Sequence, residues 1–346
     1  MNEGKFTPGE DRVYLVAEIG VNHNGDVELA KELITAAAES GADAVKFQTY
    51  ETSRLVSRNT PKVAYQLKTS DPTETHYSML KRLELSKESH YILLDYCADL
   101  GIEFFSTPSH VEDARFLDEL GVRLFKTASA DLVDLPLHTH IASIGKPVLV
   151  AVGMGTLAEI EEAVSIYRLA GVMENLVLLH CVSNYPAALE TANLRVIQSL
   201  RSAFGCRVGF SDHTEGTAGA IAAVALGARV IERHFTIDRD LPGPDHKTSL
   251  TPEEFRKMVR DIRRVEPGMG DGVKTVIDEE REMRNVSRKS IVTRRDVVRG
   301  EILSHENLAL KRPGTGIAPR YWKLLEGRRA QRNLDADLLM DWEYIE

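Results

Sequence analysis

The sequence predicts an α/β chain: a (β/α)8 barrel over residues 1–270, a linker at 271–287, and a small β-rich module at 288–346. Three observations predict it. A short β-branched run followed by an amphipathic helical pattern recurs eight times before residue 270. Several of the helical stretches close on a glycine just ahead of the next run, as in Glu39-Ser40-Gly41, Leu100-Gly101 and Leu120-Gly121. The texture then passes through a Gly/Pro-rich segment into a short, loop-rich tail.

The eight expected strands lie at 13–18, 44–48, 102–106, 123–126, 147–152, 176–180, 207–211 and 229–234. The first helix, at 29–38, shows the pattern. Leu29, Leu33, Ala36 and Ala37 share a face, Lys31, Glu32, Thr35 and Glu39 fall largely off it, and Gly41 stands at the expected stop. Strands alternating with helices imply parallel pairing through right-handed crossovers. Eight such units in about 250 residues fit a closed barrel better than an open sheet. The stretch 51–84, after the second strand, is too long for a plain connection and is expected to cover the barrel mouth. The rhythm ends near Val265. Residues 266–278 are rich in Gly and Pro, and a charged helical stretch follows at 279–285, so this region reads as a linker. In the tail, Ser290-Ile291-Val292, 297–303 and 308–311 are strand-like and 312–316 is turn-rich. A module of that size is expected to have little core of its own and to pack on something else.

Composition narrows the function. The 346 residues are 43% hydrophobic and 27% charged, an ordinary globular balance with room for a sizeable core. No apolar run approaches the ~18 residues of a membrane span. Residues 1–11 are polar and lack the apolar centre of a signal peptide, so a cytoplasmic protein is expected. Cys97, Cys181 and Cys206 are far apart, which excludes a disulfide framework or a cysteine zinc site and leaves three small buried apolar residues. The net charge is −9, with a tail from Arg281 onward at +4 and the rest at −13. An acidic body excludes a nucleic-acid binder.

In a barrel, functional groups gather at the C-terminal ends of the strands, and polar residues concentrate there in this sequence. Those ends carry Glu18; Lys46 and Gln48; Ser106 and Thr107; Lys126, Ser129 and Asp131; His180, Ser183 and Tyr185; Ser211 and His213; Glu232 and His234; and Asp245 lies just beyond. Any one of them has a bland explanation. Two lysines, three histidines and two glutamates at one rim do not, because burying that much polarity without use is costly. Lys46, Lys126, Thr107, Ser129 and Ser211 are the cations and hydroxyls that a phosphate or carboxylate needs. His213 and His234, on adjacent strands, can aim two imidazoles at one point. Two imidazoles plus water form an open, labile site for Mn²⁺, Zn²⁺ or Mg²⁺, which suits Lewis-acid catalysis better than a structural role. Glu18, Asp131, Tyr185 and Asp245 remain to hold a polar, uncharged substrate.

These residues resemble a known family, the N-acetylneuraminate (sialic acid) synthases and their legionaminic and pseudaminic acid relatives. The resemblance runs through Ala17-Glu18-Ile19-Gly20-Val21-Asn22-His23-Asn24-Gly25, Val45-Lys46-Phe47-Gln48-Thr49, Phe105-Ser106-Thr107-Pro108, Ser211-Asp212-His213-Thr214, Glu232-Arg233-His234-Phe235-Thr236 and Pro242-Gly243-Pro244-Asp245. Over the tail the chain resembles the antifreeze-like (SAF) domain of those enzymes, with Lys311-Arg312-Pro313-Gly314-Thr315-Gly316 in the matching place. The resemblance implies a TIM-barrel transferase that joins phosphoenolpyruvate to an N-acylated hexosamine in its open-chain aldehyde form and releases phosphate. It implies that Lys46, Thr107, Lys126, Ser129 and Ser211 hold phosphoenolpyruvate and that His213 and His234 hold Mn²⁺ or Mg²⁺. It implies that a water held by Glu18 or the metal adds in the reaction, and that Tyr185 and Asp245 contact the sugar, with Gln48, Asp131 and Ser183 in the same pocket. It further implies a domain-swapped homodimer in which the tail caps the partner's barrel, so that Arg312 reaches the sugar's N-acyl group.

Three departures touch the substrate pocket. Asp131 stands where the resembling enzymes commonly carry glutamate, Ala151 where a serine is frequent, and Ser183 where asparagine is frequent. N-acetylmannosamine, giving N-acetylneuraminate, is the first expected sugar. A 2,4-diacetamido-2,4,6-trideoxyhexose, giving legionaminic or pseudaminic acid, is the alternative. A synthase acting on a phosphorylated aldose would need a second cationic pocket and commonly lacks the tail. A non-catalytic carbohydrate-binding protein would have no need of both lysines and both histidines.

Overall fold

The structure is a computed structural model that describes residues 8–9, 12–71 and 73–346. The polar stretch at 1–11 otherwise lies outside the described residues. Residues up to Gly270 form one compact unit and Asp271–Glu346 a second.

The first unit is a closed barrel of eight parallel strands: β1 (Tyr14–Glu18), β2 (Ala44–Thr49), β3 (Glu103–Pro108), β4 (Phe125–Thr127), β5 (Val148–Ala151), β6 (Leu176–Cys181), β7 (Arg207–Ser211) and β8 (Val230–His234). Each pairs with the next, and β8 returns to β1 with Glu18 opposite His234. The strands match the eight expected ones to within about two residues. Helix α1 (Val27–Glu39) is longer than the 29–38 expected. Its most buried stripe is Ala30, Leu33, Ile34 and Ala37, with Leu29 and Ala36 only at its border. Asp26 caps its start by accepting from the amides of Glu28 and Leu29.

The interior of the barrel is built in layers, because alternate residues of a strand point the same way. Val16, Ala44, Phe105, Leu124, Leu149, Val177 and Val230 form an apolar floor. Two residues further along each strand comes a second layer: Glu18, Lys46, Thr107, Lys126, Ala151, Leu179 and Glu232, joined by Ser211. The floor is full. A Cβ on Gly209 would lie 2.5 Å from Leu179 Cδ2 and 2.6 Å from the Val230 carbonyl oxygen, so only glycine fits beneath Ser211. Polar side chains are therefore stacked on a dry base at the C-terminal end. The opposite strand faces pack against the helices in the main core, which includes Leu15, Ala17, Val45, Phe47 and Phe210.

The long insertion after β2 folds into α2 (Thr52–Leu55), α3 (Ala64–Thr69) and α4 (His76–Leu83), ahead of α5 (Lys87–Leu100). It lies over the mouth, as expected. Thr69 Oγ1 donates to the Pro244 carbonyl at 2.8 Å and fastens α3 to the loop after β8.

The second unit corrects two expectations. It has its own core, in which Ile291, Val297, Leu303, Leu308, Ile317, Leu325, Ala330, Leu334 and Met340 are all buried. Only two strands are regular, β9 (Ser290–Thr293) and β10 (Leu308–Lys311), paired antiparallel. The 297–303 stretch makes isolated bridges, Val297 with Leu334 and Ile302 with Arg329. A short chain closes a core here by folding loops across one another instead of extending strands. Among the described residues, no helix is long and apolar enough to cross a membrane.

Candidate active site

A cavity of about 520 Å³ opens at the C-terminal mouth of the barrel, lined by the second layer, the strand-end loops and the insertion. A larger one, about 850 Å³, lies at the other end of the strands around Val13, Cys206 and Val208, and holds none of the rim residues. The polar rim residues gather in the smaller cavity.

Its base is a network of buried charges. Lys46 Nζ lies 2.5 Å from Glu18 Oε2 and donates to Thr107 Oγ1 at 3.2 Å. Gln48 Nε2 donates to Glu18 Oε1 at 2.9 Å. Lys126 Nζ and Ser211 Oγ both donate to Glu232 Oε1, each at 3.1 Å. Every one of these groups except Gln48 is buried. Burial and the neighbouring Glu232 push Glu18 up to about 7, against the pull of Lys46. Burial acts the same way on Glu232, but Lys126 and Lys46 overrule it and hold that carboxyl at about 2. The base thus carries two ammonium groups, one firm carboxylate and one carboxyl that titrates near neutrality. An entering anion could take over either lysine.

Above the base stand two histidines and a tyrosine. The His213 and His234 rings are 5.6 Å apart, and Tyr185 packs 4.1 Å from the first and edge-on at 5.5 Å from the second. His213 Nδ1 donates to the Val182 carbonyl at 2.8 Å, which leaves Nε2 as the free nitrogen. Burial, His213 and Lys46 keep His234 neutral. Burial acts likewise on His213, but Cys181 and Val182 raise it above the ordinary value. Asp245 Oδ2 is 3.9 Å from His234 Nδ1. Its carboxyl is pushed up to about 6 by burial, despite His213, Tyr65 and Lys46.

Besides Glu18 Oε2, which faces Lys46, three buried atoms of the cavity have no hydrogen-bond partner: His234 Nδ1, Glu232 Oε2 and Asp245 Oδ1. Orphaned polar atoms converging on one space fit a ligand better than a packed core. His213 and His234 are the residues that could hold a divalent cation, loosely and between two imidazoles. Among the described residues, no group of three or more His, Cys, Asp or Glu side chains is placed to hold a metal by itself.

Beside this lies a nook around Gly153. Its amide donates to Ser129 Oγ at 3.0 Å. A Cβ on Gly153 would come within 2.4 Å of Ser183 Oγ, 2.7 Å of Ser129 Oγ and 3.2 Å of Cys181 Sγ. The missing side chain lets two hydroxyls and an amide converge. Asp131 also lines the cavity, its carboxyl pushed up to about 6 by burial and by Asp134.

Residues 33–274 match the NeuB family, and residues 288–343 match the SAF domain. The chain belongs to the NeuB family. It is 46% identical over 336 residues to an N,N'-diacetyllegionaminic acid synthase of Legionella pneumophila, covering 96% of this chain and 94% of that protein. It is 42% identical over 330 residues to the N,N'-diacetyllegionaminic acid synthase of Campylobacter jejuni, covering 95% and 99%. The crystal structure of an N-acetylneuraminic acid synthetase from Leptospira borgpetersenii superposes with a TM-score of 0.72 at 35% identity, covering 79% of this chain and 90% of that one. This NeuB-family chain is therefore an enzyme of the nonulosonic acid synthase type.

In this NeuB-family enzyme, thirteen of the fourteen site residues expected from the sequence line the one cavity. Arg312 belongs to the second unit, where it is exposed at the end of β10. His180 does not join them. It faces away from the barrel interior, stacks on Phe210 at 5.6 Å, and its Nε2 lies 2.6 Å from the Ala192 carbonyl oxygen. Cys181, expected as a small buried apolar residue, is buried and also lines the cavity, 3.7 Å from His213 Nδ1. Two residues had no assigned role. Glu232 was visible as the in-facing residue between Val230 and His234. Tyr65 of α3 packs 5.1 Å from Tyr185, and its hydroxyl interacts with Asp245; no sequence signal marked it.

Proposed function

We propose that this NeuB-family enzyme condenses phosphoenolpyruvate with the open-chain aldehyde of a 2,4-diacetamido-2,4,6-trideoxyhexose, releasing phosphate and giving a legionaminic-type acid. The observation that carries the reaction class is the pair of buried lysines, Lys46 and Lys126, each held by a carboxylate on the cavity base with Thr107, Ser129 and Ser211 around them. That set suits a small ligand with one carboxylate and one phosphate. The sugar is supported by the relatives at 46% and 42% identity, both diacetyllegionaminic acid synthases. They favour the diacetamido sugar over N-acetylmannosamine, which the sequence placed first.

In this reading Lys46 and Lys126 leave their carboxylates and neutralise phosphoenolpyruvate, with the nook at Gly153 supplying further hydrogen bonds. Tyr185 and Asp245 orient the sugar so that its aldehyde carbon faces the enol carbon. A new carbon–carbon bond forms between them. The aldehyde oxygen becomes an alkoxide. A water held by Glu18 adds to the former enol-phosphate carbon; one of its protons passes to the alkoxide, and the other leaves with phosphate as that carbon–oxygen bond breaks and the carbonyl forms. His213 and His234 would hold Mn²⁺ or Mg²⁺, which polarises the aldehyde when bound. The SAF module and Arg312 fit a homodimer in which the module of one copy caps its partner. A monomeric mass by light scattering would overturn that arrangement.

The test is phosphate release from phosphoenolpyruvate with Mn²⁺, run with each diacetamido sugar, with N-acetylmannosamine and with no sugar. Release that needs a diacetamido sugar supports the proposal. Release with N-acetylmannosamine alone restores the first expectation, and release with none refutes the reaction class. His213→Ala and His234→Ala should each abolish turnover while the protein stays folded.

A further inference from the structure

The cavity has two unlike walls. The polar one has been described. The other comes from the insertion after β2 and the turn after β1, and is made by Val21, Leu55, Val63, Met79, Leu80 and Leu83. Val21, Met79 and Leu83 are buried and form a small hydrophobic cluster of their own with Tyr50, against which Leu55 and Leu80 pack. Tyr50 spends its hydroxyl on the Leu80 carbonyl at 3.0 Å, so it offers no free donor there. The six side chains of this wall bring neither a charge nor a hydrogen-bonding group to the cavity.

The polar wall fixes which end of a sugar meets this surface. The reacting aldehyde must lie by the lysines and histidines, and Tyr185 and Asp245 take hydroxyls beside it. The far end of a six-carbon chain is then left for the apolar wall. Tyr65 and Gln66 of the same insertion also line the cavity, but Tyr65 is engaged with Asp245 and Gln66 Oε1 accepts from the Val63 amide. A terminal hydroxymethyl group placed against Leu55 and Leu80 would lose its water and find no partner among the six side chains. A methyl group, or the methyl of an acetamido group, would be buried against Leu55 and Leu80 without that loss.

We propose that Leu55 and Leu80, backed by Val21, Met79 and Leu83, are the specificity-determining residues of this site and select a deoxygenated, N-acylated far end of the sugar. This rests on the synthase reading above and adds to it the part of the protein that chooses among sugars. An apolar pocket rejects a substrate that merely adds a hydroxyl by on the order of 10²-fold in kcat/KM. The parent enzyme therefore prefers the diacetamido-trideoxy sugar to N-acetylmannosamine by at least about tenfold.

The experiment is kcat/KM for both sugars, at saturating phosphoenolpyruvate, in the parent, Leu55→Ser, Leu80→Asn and Leu80→Met. Leu55 and Leu80 are only partly buried, so polar variants are compatible with folding, and Leu80→Met keeps the wall apolar. The expected result is a fall in the diacetamido-to-N-acetylmannosamine ratio of about tenfold or more in the two polar variants. Leu80→Met keeps the parental ratio. A parallel loss with both sugars in Leu55→Ser and Leu80→Asn, with the ratio intact, overturns the assignment and leaves the synthase reading standing. Turnover of neither sugar by the parent overturns the synthase reading, and this inference with it.

Discussion

Lys126 Nζ lies 3.1 Å from Glu232 Oε1, and both side chains are about 95% buried. Removing one partner of such a pair strands the other charge, at about 3–5 kcal/mol. Glu232→Gln should therefore lower the melting temperature markedly. An anion that meets Lys126 supplies the missing charge, so phosphoenolpyruvate should raise the melting temperature of Glu232→Gln more than that of the parent. Thermal melts with and without the ligand make the comparison. Equal increments would mean that Lys126 does not meet the anion.

Glu18 gives a prediction about protons. Its carboxyl sits at about 7, raised by burial and restrained by Lys46. When phosphoenolpyruvate draws Lys46 away, that restraint weakens and a new negative charge arrives, and both changes raise the value further. Binding at about pH 7.5 should therefore take up protons. Calorimetry in two buffers of different ionisation enthalpy measures the uptake, and Glu18→Gln should abolish it. Proton release by the parent would reverse the assigned sign.

Gly153→Ala tests the nook. The added methyl collides with the Ser183 and Ser129 hydroxyls, which can rotate away, so the fold should survive while the cradle is lost. A displacement of about 1 Å at a positioning contact lowers rate by roughly 10²-fold, and kcat/KM for phosphoenolpyruvate should fall on that order. A loss below about threefold would remove the nook from the binding site.

Much of this site was legible from strand parity. Once Val16, Ala44, Leu124 and Val230 face inward, so must Glu18, Lys46, Lys126 and Glu232 two residues later. The same rule turns His180 outward, because Leu179 faces the barrel interior. Tyr65 was illegible for a physical reason: its place over Tyr185 depends on how three short helices of the insertion fold across the mouth, which no local period encodes. The core of the second unit was missed for a similar reason. Its nine buried side chains come mostly from loops, whose apolar residues carry neither the helical nor the strand repeat.

Asp131 yields a prediction that separates stability from binding. Its carboxyl is held at about 6 against an ordinary value of 3.8, through burial and the nearby Asp134. The folded protein thus binds this proton more tightly than the unfolded chain. Stability falls as pH rises from about 4 to about 6, and the deficit is complete above that window. The side chain is only partly buried, so the penalty at neutral pH is on the order of 1–2 kcal/mol, below the full shift. Asp131→Asn removes it and should raise the melting temperature by a few degrees at about pH 7.5, with little change at about pH 4. A melting temperature that does not respond at either pH would mean that the carboxylate is solvated and costs nothing. Sugar kinetics supply the second axis. If Asp131 accepts a hydrogen bond from the sugar, the stabilised variant should pay with a KM for sugar raised about tenfold or more, since an amide presents donors where the carboxylate accepted. An unchanged KM alongside the stability gain would place the sugar contacts on Tyr185 and Asp245 and leave Asp131 as a carboxylate strained by its surroundings without a substrate to hold.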